Sequence, residues 1–403
     1  MQIQFPSSFL WGAAISSYQC EGRNFNTDWH RWEKAKGLDR AGWACDHYRL
    51  FEKDFYLAKS LNLNSFRLSI EWARVCPVFV EFSQEALDHY SEVIDVLHQK
   101  GLKPVVTLHH FTNPTWFIDR GGWLNSKNID YFIAYLKRVV ELLKEKVEYW
   151  IIFNEPLVYI YNGFIRGIWP PGVKSVKEAK KVLDNIVQAY LIGYKEIKRI
   201  YETISIPVQI SLAKHMRVFS GCPDSNFALN SLSAFLRNKY FNFWIVEYLN
   251  KKRSLDFLAL NYYCKEYTRF KGLIGAECRH AKHRERKNDL GWDIHPKGFY
   301  NILLKLKKFN LPIIITENGT AETKDSLYED YLRQHLKHLA KAILKGVDIK
   351  GYFWWSLLDN FEWDKGFKYR FGLIEVAYDS MVRRIKPFAY VYAQVCKENK
   401  IEV

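Results

Sequence analysis

Two glutamates stand where a carboxylate is costly. YWIIFNEP (149–156) and LPIIITEN (311–318) are apolar runs of strand character, and each ends in a glutamate beside an asparagine, Asn154–Glu155 and Glu317–Asn318. An ionised carboxylate at the end of a buried strand costs several kcal/mol unless partners compensate it. Two carboxyls facing one another, one protonated and one ionised, are what cleavage of a glycosidic bond needs. One gives a proton to the leaving oxygen; the other attacks the anomeric carbon or activates a water that does. Spacing along the chain leaves their distance open. Either glutamate alone could simply cap its strand and pair with an arginine.

A scaffold must bring the two tips together. Eight short apolar runs recur along the chain: 9–16, 65–70, 103–110, 148–154, 206–213, 255–263, 311–318 and 350–357. Between them lie longer amphipathic segments such as SQEALDHYSEVIDVLHQKG and SLYEDYLRQHLKHLAKAILKG, with Gly101 and Gly346 as stop signals. Eight strand-then-helix units predict a single (β/α)8 barrel of the α/β class, a TIM barrel spanning 1–403 as one domain. Polar residues gather at the C-terminal strand ends: Gln19, Arg67, His109, His110, Asn154, Glu155, Asn261, Tyr263, Glu317, Asn318 and Trp355. In a barrel those ends converge on one mouth, the face where active sites are built.

Composition narrows the class. Hydrophobic residues make up 48% and charged ones 26%, which suits a globular protein with a sizeable core. Aromatics reach 16%, a surplus that suits a site stacking on sugar faces. The formal charge of +15 invites a nucleic-acid or membrane reading, but the basic residues are dispersed among 44 acidic ones. The densest basic stretch, RHAKHRERK (279–287), reads as a solvated loop, and no nucleic-acid partner is expected. Seven scattered cysteines without a CxxC pair predict reduced thiols and, with no secretory signal pattern or run of eighteen apolar residues, a cytoplasmic protein without a membrane span. His109 and His110 are adjacent, with no ligand-type residue four positions on, so no metal or other cofactor is expected. Nothing in the sequence specifies an oligomeric state.

The motifs resemble those of glycoside hydrolase family one, the β-glucosidase and β-galactosidase family. FNEP (153–156) and ITENG (315–319) are similar to its acid/base and nucleophile motifs. FLWGAAISSYQCEG (9–22), SFRLSIEWAR (65–74), VTLHHF (106–111), LALNYY (258–263), GW (291–292), WWSLLDNFEWDKGF (354–367) and RFGL (370–373) follow in the family's order. The resemblance covers nearly the whole chain and is greatest to the compact archaeal members. It implies a retaining β-glycosidase acting on small β-D-glycosides with aryl, alkyl or short oligosaccharide leaving groups. Glu155 would be the general acid/base and Glu317 the nucleophile. Arg67 and Tyr263 would hold Glu317 ionised, Asn154 would bind the sugar 2-hydroxyl, and Asn261 would support the transition state. Gln19, His110, Glu362, Trp363 and Trp292 would contact the sugar, with Trp355 as the platform beneath it.

Departures bear on specificity. Ile152, Leu157, Phe111 and Thr112 replace residues common in the family, and Leu157 and Phe111 point toward an apolar leaving-group site. A 6-phospho-β-glycosidase is the rival within the family; Glu362 would repel a phosphate and Phe371 stands where a phenol would hold one, while Lys368 argues the other way. A non-catalytic carbohydrate binder, or a basic protein holding anionic polymer, are rivals from other classes. The presence of both glutamates counts against the first. Two further expectations concern the strand tip. Strict alternation would send Asn154 and Glu155 to opposite faces, so the strand should bend or bulge there, with Pro156 helping to end its pairing. The apolar run should also surround Glu155 with low-polarity neighbours that hold its pKa up, while the residues from 264 to 290 form a loop over the leaving-group side.

Overall fold

The computed structural model describes residues 2–224, 226–272, 275–278 and 285–402. Its centre is a closed ring of parallel strands: β1 (Leu10–Ala14), β2 (Ser65–Ser69), β3 (Lys103–His109), β4 (Tyr149–Asn154), β5 (Gln209–Gly221), β6 (Leu258–Arg269), β7 (Ile313–Asn318) and β8 (Ile349–Trp355). Each pairs with its sequence neighbours, and β8 returns to β1 to close the (β/α)8 barrel.

The strands read as continuous apolar runs because both of their faces are covered. Leu10, Val105, Ile151, Ala213, Ala259, Ile314 and Phe353 point inward and fill the barrel beneath the mouth. Their neighbours Trp11, Phe66, Val106, Trp150, Leu212, Leu260, Ile315 and Tyr352 point outward against the helices. The helix spanning Gln84–Gln99 begins at Ser83, whose side chain accepts from the Ala86 amide at 3.1 Å. Gly101 beyond it, and Gly346 beyond the helix Asp325–Leu344, take positive φ of 66° and 75°, as stop signals require. Among the described residues no helix is long and apolar enough to cross a membrane.

Three expectations are corrected. β5 and β6 run well past residues 213 and 263, and their extensions pair with each other from Val218–Lys265 to Gly221–Thr268. The first part of the expected 264–290 loop is therefore sheet. Its charged positions, Lys265, Glu266 and Arg269, read as loop but lie along a strand.

The cysteines are not all reduced thiols: Cys222 and Cys278 form a disulfide, and the other five are free and buried. The cause is local pairing, since the Cys222 amide donates to the Thr268 carbonyl at 2.9 Å and the Cys278 amide to the Tyr267 carbonyl at 2.7 Å. Both cysteines thus flank one dipeptide of β6. In the basic stretch, residues 279–284 lie outside the described residues. Glu285, Arg286 and Lys287 are ion-paired, with Lys265 at 2.7 Å, Glu322 at 2.9 Å and Asp293 at 3.3 Å respectively.

Candidate active site

Both glutamates ride on irregular strand tips. In β4, Tyr149 and Ile151 point into the barrel while Trp150 and Ile152 point out. Phe153 then also packs outward, and the register with β5 shifts between Ile151 and Asn154. That break turns Asn154 inward. Glu155 follows in the left-handed region at φ 44°, ψ 52°, which brings its side chain to the same face, and Pro156 opens the next helix. The expected bend is thus present. A matching shift occurs between β6 and β7, just before the Asn261–Glu317 pairing. Gly319 follows directly, and only a glycine fits there, because a Cβ would lie 2.0 Å from the Trp355 carbonyl oxygen.

Arginine only donates, so one guanidinium orients the centre. Arg67, fully buried, donates through Nη1 to Glu317 Oε1 and through Nη2 to Asn154 Oδ1 at 2.7 Å. Asn154 Oδ1 also accepts from Asn261 Nδ2 at 3.2 Å, and the same Asn261 nitrogen donates to Glu155 Oε1 at 2.7 Å. The second oxygen of Glu317 accepts from the Tyr263 hydroxyl at 2.5 Å. Glu317, Arg67, Asn154, Asn261 and Glu155 therefore form one unbroken network. Each glutamate keeps its position because its neighbours' donors are already committed.

The same logic sets two histidine tautomers. With Asn154 Oδ1 taken by Arg67, its amide nitrogen faces His110 Nε2 at 3.0 Å and donates to it. Burial and then Arg67 keep His110 well below its usual pKa, so it is neutral and carries its proton on Nδ1. That Nδ1 is buried and has no hydrogen-bond partner among the described residues. His215 behaves likewise. Arg217 Nε donates to its Nε2 at 3.0 Å, so its Nδ1 carries the proton and meets Glu155 Oε1 at 3.3 Å. Glu155 Oε1 then accepts twice, which leaves Oε2 as the oxygen free to carry a proton.

These groups line a cavity of about 630 Å³. Gln19, His110, Asn154, Tyr263, Trp292, Trp355, Glu362 and Trp363 all border it, while Arg67 and Asn261 lie buried behind. Gln19 Nε2 donates to Glu362 Oε2 at 3.3 Å, and His110 lies nearly parallel to Trp355 and Trp363. Trp292 packs edge-on to Tyr263. Not every polar tip joins in. His109 turns outward and bonds Asn113 at 3.0 Å, Asn318 donates outward to Tyr331 at 2.8 Å, and Trp354 is core.

The order of acidities departs from expectation. Burial pushes Glu317 up to about 7, against the pull of Arg67, and the charge of Glu155 adds to the rise. Burial would raise Glu155 too, but His215, Asn261 and buried Lys214 outweigh it and hold its carboxyl below the ordinary value. His215 is itself pushed down to about 4 by burial, against the pull of Glu155. The apolar run of β4 does not surround Glu155; the polar side chains of β5 and β6 do.

Stability carries the same signature. Burial raises Asp28, Glu33, Glu71 and Glu317 to about 7 and Glu362 to about 8. A carboxyl raised in the folded state contributes stability that is complete below its unfolded value and lost as pH rises through the folded one. His89, His109 and His215 are lowered to about 4 and His335 to about 3, so their contribution is complete above 6.5 and lost below it. The two sets oppose each other between about 4.5 and 6.5. From 6.5 to 8 the carboxyls face Lys214, lowered to about 7, and Lys386, also lowered by burial, whose contributions grow with pH. The melting temperature should therefore fall by several degrees between pH 6.5 and 8; a calorimetric rise over that interval would contradict these assignments.

Sequence reasoning missed His215, Arg217, Arg237 and Glu266, which wall the cavity beyond Glu155. The available signal was the alternation His215–Arg217–Phe219 directly after an apolar run.

The chain's sequence matches the model of glycosyl hydrolase family 1 over residues 1–252 and 237–401. It is 32% identical to β-glucosidase A of Thermotoga maritima, covering 99% of both chains. It is 30% identical to a β-galactosidase of Pyrococcus woesei, with 92% of each covered. The fold superposes on a β-glycosidase from Pyrococcus horikoshii with a TM-score of 0.92 at 35% identity, over 100% of this chain and 97% of the other.

Proposed function

The chain belongs to glycosyl hydrolase family 1 and is a retaining O-glycosyl hydrolase; from that premise we propose that it is a β-glucosidase of small β-D-glycosides, with Glu317 as nucleophile and Glu155 as acid/base. One observation carries the reading: both carboxyls belong to a single network through Arg67, Asn154 and Asn261, at the mouth of a cavity with aromatic and hydroxyl-binding walls.

In the first step a Glu317 oxygen attacks the anomeric carbon. The bond to the leaving oxygen breaks, and Glu155 Oε2 supplies that oxygen's proton. In the second step Glu155 takes a proton from water, whose oxygen forms the new anomeric bond as Glu317 departs. The first step needs Glu155 protonated. A glycoside seated over Glu155 buries it further and raises its carboxyl toward that form.

The 6-phospho reading needs a different argument from the one the sequence suggested. Glu362 is largely protonated near neutral pH, since burial and then Asp364, Glu317 and Glu155 raise it. The negative field that keeps it neutral would still oppose a phosphate dianion. A panel of 4-nitrophenyl β-glycosides tests the proposal: the glucoside should be turned over, alongside fucoside or galactoside, with kcat/KM for the 6-phosphoglucoside lower by about 100-fold, the size of ~2.7 kcal/mol. Preference for the phosphorylated sugar, or no turnover of any β-glycoside, would overturn it. A cytoplasmic setting belongs to the same reading; the five free, buried cysteines support it and the Cys222–Cys278 disulfide weighs against it.

A further inference from the structure

The general acid must touch the leaving oxygen, so the wall beyond Glu155 is the wall that receives the leaving group. Two arginines stand on that wall. Arg217 and Arg237 both pair with Glu266, Arg217 Nη1 at 2.8 Å from Oε2 and Arg237 Nη1 on Oε1. Two guanidiniums therefore share one carboxylate. The Glu266 side chain is 7% exposed and that of Arg237 10%, whereas Arg217 keeps 26% exposure toward the cavity.

The bonds of Arg217 are one-sided. Nε is spent on His215 and Nη1 on Glu266, while Nη2 makes no hydrogen bond among the described residues. Arg237 is held from behind, with Nη2 on the Tyr161 hydroxyl at 3.2 Å. Two rings face these cations: Arg217 lies 5.4 Å from the centre of Phe241 and Arg237 5.1 Å from that of Phe219. The other cations of this wall have their own partners, Lys265 on Glu285 and Lys287 on Asp293. His215 is neutral and adds no charge.

We propose that this wall is an anion subsite for the leaving group, in which the free edge of Arg217 receives a carboxylate carried on an aromatic ring packed beside the contacting pair Phe219 and Phe241. The proposal rests on the β-glycosidase reading and deepens it by naming a substrate class, the β-glucosides of hydroxyaryl carboxylic acids. A planar carboxylate fits a guanidinium edge. The chemistry at the anomeric carbon is unchanged.

The test compares 4-carboxyphenyl and 4-carbamoylphenyl β-D-glucosides, which differ in charge at nearly constant shape. In the native enzyme at low ionic strength the carboxylate should be favoured in kcat/KM by about tenfold, mainly through KM, and 0.5 M salt should erase most of that ratio. Arg217→Met should lower the ratio about tenfold, and Glu266→Gln, which leaves both arginines uncompensated, should raise it. Opposite shifts from neighbouring substitutions cannot come from general loosening of the wall. A native ratio at or below one, or a ratio unmoved by both variants, overturns the subsite. Hydrolysis of the neutral 4-nitrophenyl glucoside reports separately on the glycosidase reading, so the two failures are distinguishable.

Discussion

Glu317→Gly should cut kcat/KM on an aryl β-glucoside by about five orders of magnitude, roughly 7 kcal/mol of barrier. The loss follows from its place: one oxygen is fixed by Arg67 and the other by Tyr263, so no second carboxylate stands ready to attack. Glycine leaves a gap on that face of the sugar. Azide entering it should attack the anomeric carbon while Glu155 still protonates the leaving oxygen, giving an α-glucosyl azide of inverted configuration. Ordinary activity in this variant, or a β-azide product, would show that Glu317 is not the nucleophile.

Glu155→Ala should behave in the opposite sense, and its outcome depends on the leaving group. A 2,4-dinitrophenyl glucoside departs without a proton, so formation of the glucosyl-enzyme should slow by no more than about tenfold. An alkyl glucoside needs the acid and should lose about 10⁴ in kcat/KM, at the upper end of what a positioned general acid contributes. Azide should now act on the glucosyl-enzyme from the open side and yield the β-azide. Equal losses on both substrates would remove Glu155 from the acid role. Since the two variants give azides of opposite configuration, NMR of the products assigns each carboxyl independently.

How far the sequence revealed this site depended on where each partner lies. Glu155 and Glu317 were legible because a carboxylate ending an apolar run is anomalous in either place alone. The break in β4 was legible too, since Asn154 and Glu155 could not share a face on a regular strand. The acidity order was not. It depends on His215, Asn261 and Lys214, which reach Glu155 from other strands, and β4 carries no sign of them. The β5 and β6 extensions were hidden because their lysines, arginines and glutamate resemble a loop until the facing strand supplies their partners. The Cys222–Cys278 bridge was hidden for a related reason: only the pairing around Tyr267 and Thr268 brings the two cysteines together.

The β5 extension also places a constraint of parity on the enzyme's evolution. Ala213 faces the barrel interior, and His215, Arg217 and Phe219 continue that face along the cavity, while Met216 packs on the outside. Removing two residues from this stretch would retract the wall by about 6.6 Å and leave its facing residues in step. Removing one would exchange inside for outside and present Met216 and Val218 to the leaving group. A loop can change length by single residues without such consequences. This wall can be retailored only by substitution or by even steps, which ties changes in leaving-group preference to the register of the barrel itself.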